Sequence, residues 1–340
     1  QLTSRSLHVQ DVQVLAALVP GGTTSPGAGT SGGPSGPAGP VWQGYTGRLA
    51  LDLKRVVYSP TVVVHQVVGS VRLGPSALVV EEISAALGEG GMVKLGGQVS
   101  FDGAHLAPYA LTADLAVNGF DPGPLLRAFN PTAAPPVEGK FDLTTRLAGR
   151  SSSLGGLADA ASGGLNLSSR GGTLRALSVD LTEYARAGTR LASVAGLIGI
   201  ATGDQRVLRY SERLKAASEL TTDLSAVTFD QLTVQVERTP ENHYVIKDLA
   251  VISPTLRLLG SGVIEHQPGV SVWSQPLSLN LQLGARDRLA GQLRTLKLLA
   301  EQTDALGYSP LVENLVLDGS LENIGTNRFR ELLVQALNGT

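Results

Sequence analysis

From Val41 onward, apolar and polar residues alternate with a period of two. GRLALDLKRVVY, TVVVHQVVGSVRL, ALVVEEISAAL, MVKLGGQVSF and YALTADLAV follow one another, separated by Gly, Pro and acidic turns. Side chains in a strand point to opposite faces in turn, so this pattern predicts half-buried β-strands. Upstream, Leu7 to Val19 reads as a first strand, with His8, Gln10 and Gln13 interleaved among Val9, Val12 and Val14. Downstream, EGKFDLTTRLAGR and GGLNLSSRGGTLRAL predict three more strands, joined by a small-residue helix around Leu154–Ala161.

The period then changes. Leu181, Tyr184, Leu191, Val194, Leu197 and Ile198 recur at spacings of three and four, which predicts a helix through Gly203. VLRYSERLKAASEL predicts a second helix. FDQLTVQVE, HYVIKDLAVI, TLRLLGSGVIE and PLSLNLQL return to strands. RDRLAGQLRTLKLLAEQ reads as helical, ENLVLDGSLEN as a strand pair or bent strand, and NRFRELLVQAL as a terminal helix capped by Asn338-Gly339.

One phrase occurs twice. LVVEEISAALGEGGMVKLGGQV (78–99) aligns with YVIKDLAVISPTLRLLGSGV (244–263) across a two-residue gap. An alternating strand and then a helix-like segment follow each copy. Recurrence of this kind marks stacked β units. Gly96-Gly97 and Gly260/Gly262 are the expected bend points, since glycine inside a strand marks a bulge, a bend or a close backbone approach. The expected fold is mainly β with several helices (α+β). It is an elongated, curved antiparallel β-sheet of repeated units, with amphipathic helices packed on it or capping its end. Asp121–Pro136 punctuates the chain, giving an N-terminal β-repeat region at 1–136 and a C-terminal β/helical region at 137–340. Within the first, Pro20–Pro40 carries eight Gly and five Pro in 21 residues and reads as a disordered loop.

Composition narrows the chemistry. A net charge of −2 gives no electrostatic reason for nucleic acid or an anionic membrane surface as partner. Cysteine is absent, which excludes disulfides and thiolate metal sites and suits an oxidising envelope compartment. Aromatics are only 4%, so Leu, Val, Ala and Ile must fill the core. The apolar run Leu191–Ala201 is too short to span a bilayer. The strand-like start without Met reads as a processed or truncated product.

No catalytic set converges. His8, His65, His105, His243 and His266 lie in separate elements, so no metal or cofactor is expected. Glu81 and Glu82 should point to opposite faces of a strand and so cannot act as an acid–base pair. The G-x-S-x-G at Gly29–Gly33 lacks the strand and helix of a hydrolase elbow. Gly260-Ser261-Gly262 leads into a strand, against phosphate binding. What remains is two apolar faces: Leu111, Ala113, Leu115 and Val117 on one strand, and Leu277, Leu279, Leu281 and Leu283 on another. Thr112, Asp114, Ser278, Asn280 and Gln282 face away from them. Such faces either pack beneath helices in a closed core or stay open to acyl chains. Leu279→Asp or Leu281→Asp separates the two, because a carboxylate stays hydrated in an open groove and unfolds a closed core.

Several phrases in order carry a family likeness. EGKFDLTTRLAGRSSSLGGLADAASGGLNLSSRGGTLRALSVDL (138–181) and VTFDQLTVQVERTPENHYVIKDLAVISPTLRLLGSGVIE (227–265) resemble the C-terminal region of the AsmA-like family. The resemblance covers residue 138 to the end, and 47–120 more loosely. It implies a non-catalytic protein of the diderm bacterial envelope, in the periplasm and tethered to the inner membrane by a segment not in this chain or by a partner protein. It further implies an apolar β-groove that binds or transfers phospholipid or another acyl lipid in outer-membrane biogenesis or lipid homeostasis. The alternative is a structural scaffold of the envelope with a filled core and partner-binding sheet edges, assembling with other envelope proteins.

Overall fold

A computed structural model describes residues 2–4, 7–8, 39–57, 63–88, 90–129, 134–179 and 205–338. The helix predicted over 181–203, the G-x-S-x-G motif and nearly all of the Gly/Pro segment lie outside them. The chain is mainly β with mostly antiparallel pairing and few helices, as the alternation predicts. It clusters into two units. One comprises residues 1–128, 141–166 and 237–242; the other comprises 129–140, 167–236 and 243–340.

The first unit is built on β1 (Leu2–Ser4), β2 (Leu7–His8), β3 (Gly47–Val57), β4 (Val63–Leu73), β5 (Ala77–Leu87), β6 (Gly91–Phe101) and β7 (Tyr109–Phe120). Helix α1 (Gly123–Phe129) follows, then β8 (Val137–Ser151), the single turn α2 (Leu157–Ala160) and β9 (Ser162–Leu174), whose residues from 167 onward are assigned to the second unit. From β3 to β8 each strand pairs antiparallel with the next. The outer edge of β3 is instead covered in parallel by β1 and β2, a pairing that the meander pattern does not predict. The text expected to give three strands forms two long ones, β8 and β9, with Gly171 (φ 135°) inside the continuous β9. Asp121–Pro136, read as pure punctuation, includes α1. Pro124 stands in its first turn, where its missing N–H costs nothing, and the Asp121 carboxylate accepts the Gly123 N–H at 2.8 Å.

The second unit contains α3 (Gln205–Leu224), β10 (Val227–Phe229), β11 (Gln231–Arg238), β12 (Tyr244–Ile252), β13 (Leu256–Ile264) and β14 (Leu277–Ala285). It continues through α4 (Asp287–Thr295), β15 (Ser309–Pro310), β16 (Leu315–Gly319), β17 (Ile324–Gly325) and α5 (Asn327–Asn338). Strands β12, β13, β14 and β16 form consecutive antiparallel pairs. The helix predicted through Gln302 stops at Thr295. The Leu298 and Lys297 N–H groups turn back to the Leu293 and Arg294 carbonyls, each at 2.9 Å, with Lys297 at φ 60°. These two bonds are a Schellman ending, with lysine where glycine is usual. No helix among the described residues is long and apolar enough to cross a membrane.

The repeat is visible in the ladders. On β5 the register shifts between Val80 and Ile83, bulging Glu81-Glu82 opposite Gly96. On β12 it shifts between Ile246 and Leu249, bulging Lys247-Asp248 opposite Ser261. The bulges match, and Gly97 therefore corresponds to Gly262, one residue off the alignment of the glycine pairs by sequence.

Candidate functional site

Residues directly opposite in an antiparallel ladder share a face. Taking the first unit strand by strand, Leu49 lies opposite Val71, and across β4 Val71 faces Val80. Val80 then pairs with Gly97, Leu95 with Ile83 and Leu115, Gly97 with Ala113, and Ala113 with Leu147. One face across six strands, β3 to β8, thus carries Leu, Val, Ile, Ala and Gly, broken only by the uncharged Thr145, whose hydroxyl donates to the Gly164 carbonyl. No charged side chain interrupts it between Leu49 and Leu147.

This face is half-buried. Leu49 is 38% exposed, and Leu51, Val71, Val80, Leu95, Leu111, Ala113, Leu115 and Leu147 are intermediate. Its two ends are closed by small clusters. At one, Trp42, Tyr109 and Leu157 are buried with Phe101 packed edge-on to Tyr109 at 5.0 Å, and the Trp42 indole N–H donates to the Gly74 carbonyl. At the other, Leu53, Val67 and Ala85 are buried. Val117, the last of the predicted Leu111–Val117 face, is also buried.

The second predicted face lies elsewhere. Leu277, Leu279, Leu281 and Leu283 are all buried, and Ser278, Asn280 and Gln282 are exposed, so the alternation holds. They meet Leu258, Gly260, Gly262 and Ile264 on β13, and Leu315 and Leu317 on β16. Helix α4 packs on β14 and α5 on β16, while α3 packs against both helices. These helices bury Leu220, Leu224, Leu289, Leu293, Phe329 and Leu333. Of the two possibilities left by the sequence, β14 takes the closed core. Its four leucines line no open groove here.

Glycines mark where backbone and side chains come close. A Cβ on Gly260 would stand 2.7 Å from Leu281 Cδ2, and one on Gly262 2.6 Å from Leu279 Cδ2. Their missing side chains admit those leucines. A Cβ on Gly97 would lie 2.6 Å from the Thr112 carbonyl, whereas one on Gly96 would meet nothing nearer than 4.0 Å.

The opposite face of the first unit is polar. The bulge turns Glu81 and Glu82 to the same side, contrary to the strict alternation expected of them. Both line a depression of about 630 Å³ around Gly96. Glu82 is 3.7 Å from Lys94, and Asp114 is 2.7 Å from Arg146. Glu81 accepts the Ser70 hydroxyl at 2.7 Å and pairs with Arg48 at 2.6 Å and Arg72 at 3.7 Å. The Ser70 hydrogen bond foremost, with both guanidiniums, holds the Glu81 carboxyl below its ordinary range. A ladder of exposed, mutually compensated charges is a solvated surface.

Two of the five histidines, His243 and His266, meet. His105 stands 3.4 Å from Asp102, His65 is exposed on β4, and the His243 ring accepts the His266 backbone N–H at 3.1 Å. Among the described residues no three His, Asp or Glu groups converge on a metal position. Comparison with protein-family models, with curated proteins and with solved structures gives no match.

Proposed function

We propose that the protein is a non-catalytic lipid-binding or lipid-transfer module of the bacterial envelope, and that acyl chains lie on the apolar face of its first unit. The observation that carries the reading is the uncharged face from Leu49 to Leu147, half-buried across six strands. Each methylene removed from water on such a surface contributes about 0.8 kcal/mol. An acyl chain with ten methylenes in contact would gain about 8 kcal/mol before association costs, with no polar ligand required. Trp42, Tyr109 and Phe101 close one end of the face and set a limit to the chain there. The resemblance to the AsmA-like family supports phospholipid as the ligand and the periplasm as the compartment, with an inner-membrane tether.

The scaffold reading has its own support in the second unit, whose apolar face is filled by its helices. That part of the chain is better suited to holding shape or joining envelope partners than to carrying lipid.

The test is to purify the whole chain from a diderm host, extract it and identify co-purifying lipid by mass spectrometry. Leu95→Asp and Leu115→Asp should fold and lose the lipid, since half-exposed carboxylates there stay hydrated. Folded variants that keep the wild-type lipid content would remove this face from the mechanism.

A further inference from the structure

The second unit holds a cleft of about 350 Å³ between α3, the turn that ends α4, and α5. Its floor is apolar, formed by buried Leu296, Leu311 and Ala336. Its walls carry two cations, Arg213 on α3 and Lys297 at the turn, and one carboxylate, Glu313. We propose that this cleft binds an anion with an apolar tail, the chemistry of a medium-chain carboxylate.

Three observations lead there. Arg213 is half-buried, yet no carboxylate among the described residues lies within 4.0 Å of it and no hydrogen bond among them engages it. A guanidinium partly withdrawn from water favours an anionic partner. Lys297 occupies the left-handed position (φ 60°) that glycine fills without strain, so the chain keeps a side chain there against a backbone preference, at a residue that lines the cleft. Glu313 is exposed and pairs with neither cation, leaving the walls one positive charge in excess. The volume is in the range of small-ligand sites, and the leucine floor suits methylenes. This site is independent of the lipid-binding reading of the first unit.

The experiment titrates decanoate into the full methyl-labelled chain and follows the Leu298 and Leu332 methyl signals at the cleft. Acetate supplies the charge without the tail, and decyl maltoside the tail without the charge. Decanoate should shift both methyls saturably, and neither control should match it. Arg213→Gln and Lys297→Gly should each weaken binding about tenfold, the effect of losing one charge-assisted contact. Lys297→Gly should at the same time raise the melting temperature, because glycine relieves the left-handed strain. Loss of binding in a more stable protein is an outcome that a merely structural lysine would not give. Unmoved cleft methyls, equal binding of either control, or wild-type affinity in Lys297→Gly would overturn the proposal. Leu115→Asp should leave the cleft shifts unchanged, so failure here is distinguishable from failure of the first unit's face.

Discussion

The β5–β6–β7 and β12–β13–β14 triplets are two renderings of one plan with opposite outcomes. Each opens with a strand bulged at two charged residues, continues through a strand weakened by glycine, and ends on a strict alternation. Matched on the bulges, Leu115 corresponds to Leu281, and Leu95 to Gly260. Yet Leu115 is half-buried, and Leu281 is 2% exposed. In the second triplet Gly260 and Gly262 leave room for Leu281 and Leu279 to lie flat on β13, and α4 closes over them. In the first, Leu95 stands where Gly260 would, and the face stays half-buried. Equal alternation therefore sets which side chains share a face, while small residues and covering helices set whether that face is core or surface.

The sharpest way to break the comparison is to put the same charge on both faces. Leu281→Asp should leave the second unit unfolded or destabilised by several kcal/mol, the cost of an unpaired buried charge. Leu115→Asp should cost about 1 kcal/mol, since its carboxylate reaches water. Thermal unfolding of both variants measures the contrast. Equal losses would mean that the first unit's face is as closed as the second.

The glycines give a smaller effect. Gly262→Ala forces a methyl against the Ser278 carbonyl and Leu279, and Gly97→Ala against the Thr112 carbonyl, so each should cost about 1–3 kcal/mol. Gly96→Ala should be close to neutral, with open space at its Cβ. Denaturant titration of the three variants tests whether close approach, rather than a bend, is what these positions require.

Smaller again is the pH response of the polar face. The Glu81 carboxyl is held low in the folded chain, so its contribution to stability is present above the unfolded carboxylate value of about 4.3 and is lost as pH falls through the folded one. Ser70→Ala removes the largest cause and should raise the Glu81 value, read by NMR titration, and flatten the acid limb of the stability curve. The smallest effect is at the exposed Arg146–Asp114 pair, where Arg146→Ala should leave the melting temperature within error of the wild type, as measured in the same thermal unfolding series.

Much of the fold was legible in the residues. Strands β3 to β7 and β11 to β14, helices α3 and α5, and the inward set Leu277–Leu283 follow from periodicity, because the pleat and the helical turn are local properties of the backbone. Three features escaped it. The Lys297 turn ends α4 early although the apolar spacing continues, since its capping bonds show only in the backbone path. The bulge swings Glu82 onto the side of Glu81, since an inserted residue resets the count of two. The parallel edge formed by β1 and β2 depends on a pairing more than forty residues distant in the chain.

By itself, then, the sequence determined a mainly β chain with a duplicated glycine-interrupted unit and two apolar faces, each on the predicted side of its strand. Tertiary structure alone decided their fates. The helices over β14 and β16 come from residues on either side of those strands, and the face to which β7 belongs is assembled from six separate strands, β3 to β8. Alternation is written in neighbours two residues apart, but covering a face depends on which distant segment packs against it, and no local pattern carries that information.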